Sequence, residues 1–411
     1  MIGLELRKLF RQQRLSNCFI ILLLLMIGSL EISIYGQHQY QTKNVDNFKK
    51  YLTAYQATTP INTAKDLEQL QLRKFANNAL VKDDAQQAQA IAYKAMNSRR
   101  PWLNYSGDIL MTNLHAGEVE ATRKELQYLK QHQLTANMPL KILTNPKTAT
   151  TNSISNDGLT YFANLSKRYY TKGLDQIWFW AKIGGIFIAL AVLNLFLGDI
   201  LSGEWANRTD HLAWLNLNGV KTSRIMMTKF LIHFFSAISL LIITTIVFLI
   251  YAMFRTGLGN LAYPVQNWQL GSMVKTPYFW LTANEDANYF APFQIVFKPL
   301  SGYLAQFLLL IIVLCLLNSA LTIFINYLIK NGLITLIIMS LLPLGYFILP
   351  TSKTPLQFLN FDWLATGYLN YFNRTTSNLF NQVLLIMVLC AMILLAIPLC
   401  WCLRKEGKSN D

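Results

Sequence analysis

Six runs of apolar residues, at 15–36, 177–200, 229–254, 302–328, 333–349 and 380–402, constrain this chain more than anything else in it. About 20 residues of helix cross a hydrocarbon core, and backbone inside lipid has to satisfy its own hydrogen bonds. The runs are therefore expected to be six transmembrane helices of an all-α integral membrane protein. Composition agrees: 53% of residues are hydrophobic and 14% charged, where soluble domains carry roughly 25% charge. The fifth run, 333–349, is the shortest and ends in LLPLGYFILP. Pro343, Gly345 and Pro350 there predict a broken or re-entrant helix buried among its neighbours.

A net charge of +15 raises the question of nucleic acid, and the placement of the cations answers it in favour of a lipid bilayer. Arg7, Lys8, Arg11 and Arg14 precede the first run; Arg208, Lys221, Arg224 and Lys229 lie between the second and third; Lys330 separates the fourth and fifth; Arg404, Lys405 and Lys408 follow the sixth. Short segments rich in Lys and Arg stay on the cytoplasmic side. Both termini, the 201–228 segment and the 403–411 tail are thus expected inside, with 37–176, 255–301 and 350–379 outside. No nucleic-acid partner is expected. The first run is expected to stay as an anchor, since GSLEISIYG offers no small-residue cleavage site. Ahead of it, residues 1–14 put Ile2, Leu6 and Leu9 on one helical face and cations on the other, the pattern of an amphipathic interfacial helix.

The 37–176 segment is a different material, rich in Gln, Asn, Lys and Ala, with helix-like stretches near 42–57, 63–97, 117–133 and 158–173. It reads as a mainly helical extracellular domain between the first and second spans. Thr63 and Asp66 fit a capping box at the head of one of these stretches. The 255–301 segment is dense in aromatic residues, among them Tyr263, Trp268, Trp280 and Phe297, as expected of an interfacial belt.

No catalytic constellation is present in the sequence. There is no G-x-x-x-x-G-K-[ST] to cradle nucleotide phosphates, no H-E-x-x-H, no G-x-S-x-G and no CxxC. The five cysteines, Cys18, Cys315, Cys390, Cys400 and Cys402, fall in or beside apolar runs and read as buried small side chains. Of the five histidines only His233 lies within a run, where a packed imidazole is expected. No enzyme activity, cofactor or metal is expected of this chain. Two charges, Glu31 near the outer end of the first run and Lys182 in the second, are intramembrane or interfacial groups with a candidate functional role.

One polar stretch remains. Between the second and third runs stands GEWANRTDHLAWLNLNGVKTSRIMMTKF, residues 203–230, acidic, basic and tryptophan-bearing on the side the cations mark as cytoplasmic. It is similar to the cytoplasmic segment of ABC-2 type permeases, the membrane subunits of bacterial ABC exporters. Glu204, Thr209, Leu212, Leu215, Gly219, Ser223, Arg224 and Lys229 follow the order of that family's motif. Arg208 stands where glycine is usual, and Asn218-Gly219 where a proline turn is common. The resemblance implies a cell-membrane permease that moves an amphipathic substrate, such as an antimicrobial peptide, drug or lipid, outward. It implies a cytoplasmic ABC ATPase subunit docked on Glu204, Arg208, Asp210, His211 and Trp214, and a second permease subunit, identical or related. The competing reading is a membrane sensor or scaffold whose outer domain regulates an envelope process without transport.

Overall fold

A computed structural model of the chain describes residues 2–58, 116–135, 168–202, 219–270, 293–349, 356–373, 375 and 378–408. Helix α1 (Ile2–Arg11) is set off from α2 (Arg14–Thr58) by Gln13, whose left-handed φ of 56° ends one helix and redirects the chain into the next. There follow α3 (Ala116–Gln131), α4 (Gly173–Lys182), α5 (Gly185–Leu197) and α6 (Thr222–Arg255). Strands β1 (Pro264–Leu270) and β2 (Phe293–Pro299) come next, then α7 (Leu300–Ile329), α8 (Gly332–Ile348), the short α9 (Phe361–Ala365) and α10 (Tyr368–Phe372), and α11 (Leu379–Lys408). The chain divides into two units, one of Met1–Ser29, Lys172–Leu258 and Gly302–Asp411, the other of Leu30–Thr171 and Gly259–Ser301.

The first unit has the architecture of a helical membrane protein. Among the described residues, Arg14–Gln39, Thr222–Arg255, Leu300–Ile329 and Leu379–Arg404 are long and apolar enough to cross a membrane; the bent pair α4–α5 makes a fifth if it is one span. The expected second span is thus two helices meeting at 84°. The break falls at Ile183-Gly184, where Gly184 takes φ 74° and the Tyr346 ring packs against its bare Cα. Only glycine adopts that conformation without strain and leaves room for the ring.

The proline-bearing helix behaves differently from expectation. Helix α8 runs unbroken through Pro343, although at 17 residues it reaches only about 26 Å, short of the roughly 30 Å core. A proline removes the bond that its N–H would have given to the carbonyl four residues back, here Met339. That carbonyl instead accepts from Asn194 Nδ2 of α5 at 2.8 Å. A neighbouring helix supplies the missing donor, so the turn survives inside an apolar bundle.

Helix α6 separates apolar from polar residues on two sides. Ile242, Ile246, Ile250 and Met253 are exposed along one stripe, while Lys229, His233, Ser236 and Thr244 are buried on the other side. Apolar residues outward and polar residues between helices is the arrangement lipid favours, because hydrocarbon solvates leucine as well as another helix does.

The second unit contains the distal part of α2, α3 and an antiparallel β1–β2 pair running in register from Pro264↔Pro299 to Leu270↔Phe293. Helix α3 matches the helix expected at 117–133, and α2 continues through 42–57. The stretch 63–97 lies outside the described residues, and residues 168–172 precede the helix rather than extend it. The strands were not anticipated by the sequence reading. Val265 and Asn267 of β1 are buried at alternate positions, as are Leu126 and Leu129 on the α3 face that packs against the pair. Glu125 of α3 and Arg168 form a buried ion pair at 2.6 Å, with the guanidinium also 5.9 Å from the Tyr263 ring centre. Burial opposes the charge on Arg168, but Glu125 outweighs it and holds the guanidinium above its ordinary range.

Candidate functional site

Segment 203–218, which contains Glu204, Arg208, Asp210, His211 and Trp214, lies outside the described residues. Its membrane-side approach is described, and it is built with unusual completeness. After α5 the chain turns through Gly198, Asp199, Ile200 and Leu201 to Ser202. A helix end leaves carbonyls and amides without partners, and within a membrane each unpaired group costs several kcal/mol.

Asn326 of α7 meets much of this requirement. Its Nδ2 donates to the Gly198 carbonyl at 2.6 Å and to the Thr322 carbonyl of its own helix at 2.7 Å. Its Oδ1 accepts from the backbone of Ser202 at 2.8 Å, the Ser202 hydroxyl at 2.6 Å and the Leu201 amide at 3.3 Å. Asn326 and Ser202 are both fully buried. One amide side chain from a different helix therefore holds the turn that follows α5.

On the other side, Arg14 at the head of α2 reaches the same turn. Its guanidinium donates to both carboxylate oxygens of Asp199, at 2.5 and 3.3 Å, and to the Phe196 carbonyl at 3.2 Å. The forked geometry fixes orientation as well as distance. The two tethers, Arg14 and Asn326, hold residues 196–202, which precede segment 203–218 in the chain, to α2 and to α7.

The Asn326 tether continues inward as a polar seam. Asn318, Thr322 and Asn326 recur every fourth residue along α7, and rows at that spacing lie on one helical face. Asn318 and Asn194 exchange two hydrogen bonds, at 2.9 and 3.0 Å. Ser319 donates its hydroxyl to the Cys315 carbonyl, so His233 Nδ1, 2.8 Å from the same oxygen, is the donor of their bond. His233 is thereby assigned the Nδ1–H form and is fully buried, the packed imidazole expected from its position. Lys229, one turn earlier in α6, is buried as well.

Glu31 sits half-buried in α2. Lys182 ends α4, its Nζ 5.1 Å from the Trp178 ring centre, a cation–π contact near the helix break. Close to the same break, Ser29 accepts from Gln176 Nε2 and Trp180 Nε1, each at 2.6 Å. Neither Glu31 nor Lys182 belongs to the seam. The residues that do, Asn194, Asn318 and Asn326, were missed by the sequence reading, which searched the spans for charges. The signal that would have found them is asparagine recurring inside apolar runs, where an amide is costly unless paired across helices. Among the described residues no group of His, Cys, Asp or Glu could hold a metal ion. No family model, curated protein or solved structure matches this chain.

Proposed function

We propose that this chain is the membrane-spanning subunit of a bacterial ABC exporter, moving an amphipathic substrate outward on ATP hydrolysed by a separate cytoplasmic subunit. It works beside a second permease subunit in the cell membrane, with both termini and segment 203–218 on the ATPase side. The observation that carries this reading is the double tether. A partner pulling on Glu204, Arg208, Asp210, His211 or Trp214 would move a turn that Arg14 ties to α2 and Asn326 ties to α7. Force on a loop so anchored passes into several spans at once. The resemblance of 203–230 to the ABC-2 segment supplies the kind of partner, and the absence of a P-loop from the sequence fits a motor on another chain.

Glu204→Lys, Arg208→Glu and Trp214→Ala are expected to leave expression and membrane insertion unchanged while weakening recovery of the ATPase with this chain and lowering transport in reconstituted vesicles. Buried aromatic and arginine side chains commonly dominate such contacts. Normal recovery and normal transport in all three variants would make the segment an ordinary loop. ATPase recovery with hydrolysis but no substrate movement would favour the sensor or scaffold reading. Orientation is checked separately: Ser153→Cys should react with an impermeant thiol reagent on intact cells, and Ser409→Cys should not.

A further inference from the structure

Three helix ends of the first unit carry the same exposed pair, a cation three residues from a large apolar side chain. On α1, Arg7 is exposed beside Phe10, itself 62% exposed, with Arg11 exposed next to it. On α6, Arg224 is exposed beside Met227, 39% exposed, and Lys221 is exposed one turn earlier. On α11, Trp401 is 58% exposed beside exposed Arg404. Residues three apart are surface neighbours on a helix, so each pair forms one small patch.

The patches are gathered rather than scattered. Cys402 Sγ of α11 lies 3.4 Å from Met226 Sδ of α6, which sets the Trp401/Arg404 pair beside the Arg224/Met227 pair. Helix α1 packs against α6 as well, with Leu9 buried while its neighbour Phe10 faces away. These two adjacent apolar side chains of α1 are thus divided, Leu9 turned into the protein and Phe10 left outside among arginines. A ring or thioether flanked by long cations suits the boundary between acyl chains and headgroups, where the apolar group inserts and the cation reaches up to phosphate.

We infer that these ends form a basic collar that binds anionic phospholipids of the adjoining leaflet in preference to zwitterionic ones. Charge complementarity sets the class of occupant. Arg7, Arg11, Lys221, Arg224 and Arg404 are exposed. The phosphodiester of a lipid headgroup answers the cations, and its acyl chains answer Phe10, Met227 and Trp401. This inference requires only that the chain is embedded in a bilayer and stands whether or not it exports anything.

The full-length protein, reconstituted in phosphatidylcholine bilayers, is titrated with brominated phosphatidylglycerol or brominated phosphatidylcholine. Trp401 emission is isolated as the difference from a Trp401→Phe protein. Quenching by the anionic lipid should saturate at a mole fraction about fivefold lower, the contribution of roughly one cation near a headgroup layer. In Arg224→Gln/Arg404→Gln that preference should fall while brominated phosphatidylcholine still quenches, showing that the helix remains inserted. Arg7→Gln/Arg11→Gln should reduce the preference in a protein whose α6 and α11 ends are unaltered. Equal quenching by both lipids in the unaltered protein, or a preference that survives both double substitutions, would overturn the inference. So would displacement by inorganic phosphate that exceeds displacement by chloride at matched ionic strength, since that outcome describes a site for free phosphate.

Discussion

Asn194→Leu is the substitution that tests the bundle most directly. The change keeps the side chain close in size and removes three hydrogen bonds, two exchanged with Asn318 and one donated to the Met339 carbonyl. Interhelical hydrogen bonds in membranes average about 0.6 kcal/mol and reach about 1.7. Losing three predicts destabilisation of about 2–5 kcal/mol, read as a shift in the unfolding midpoint of the purified protein titrated with sodium dodecyl sulfate in mixed micelles. The distinctive part is a double-mutant cycle with Pro343→Ala. Alanine at 343 restores an N–H that Met339 can use, so Asn194→Leu should cost about 1 kcal/mol less in that background. A parallel cycle with Asn318→Leu should also be non-additive, because the second substitution removes a partner already left unpaired. If Asn194→Leu costs the same in all three backgrounds, Asn194 is not the group that sustains α8 through its proline, and the reasoning fails.

The remaining predictions concern other joints. Arg14→Asp and Asp199→Arg should each cost about 1.5–3 kcal/mol in the same titration, the range for a hydrogen bond to a charged group. The double swap should recover part of that loss, and two singles with no recovery in combination would argue against a specific pair. Gly184→Ala should cost about 1–2 kcal/mol for a left-handed alanine, plus the displacement of the Tyr346 ring. In a Tyr346→Leu background the cost should shrink toward the backbone contribution alone, and an unchanged cost would remove the ring from the account. In the second unit, Arg168→Leu strands Glu125 in a buried setting, a loss of about 3–5 kcal/mol for a broken buried pair. Amide hydrogen exchange in α3 and β1 should accelerate while that in α6 and α7 stays unchanged, and unaltered exchange in α3 would show the pair to be dispensable.

Much of the architecture was legible in the amino-acid order, because a bilayer imposes a length and a polarity on whatever crosses it. Runs of about 20 apolar residues announced α2, α6, α7 and α11. Alternating cations and apolar residues announced α1, and the helix at 116–131 followed from its composition. The sequence also placed a polar segment between two apolar runs and made it the natural suspect for a partner contact. What it did not disclose was where the polar atoms of distant segments meet. Pro343 read as a break because a proline considered alone leaves a carbonyl without a partner, and only packing puts the amide of Asn194 against that carbonyl. Ile183-Gly184 read as part of a continuous apolar run, since hydropathy does not register a left-handed glycine wedged against Tyr346. Asn326, 124 residues from Ser202 in the chain, came to hold the turn after α5 through contact alone. Hydrophobic length is a sum over neighbours in sequence and survives without a structure. A hydrogen bond between side chain and backbone depends on two positions in space, and the fold decides which two.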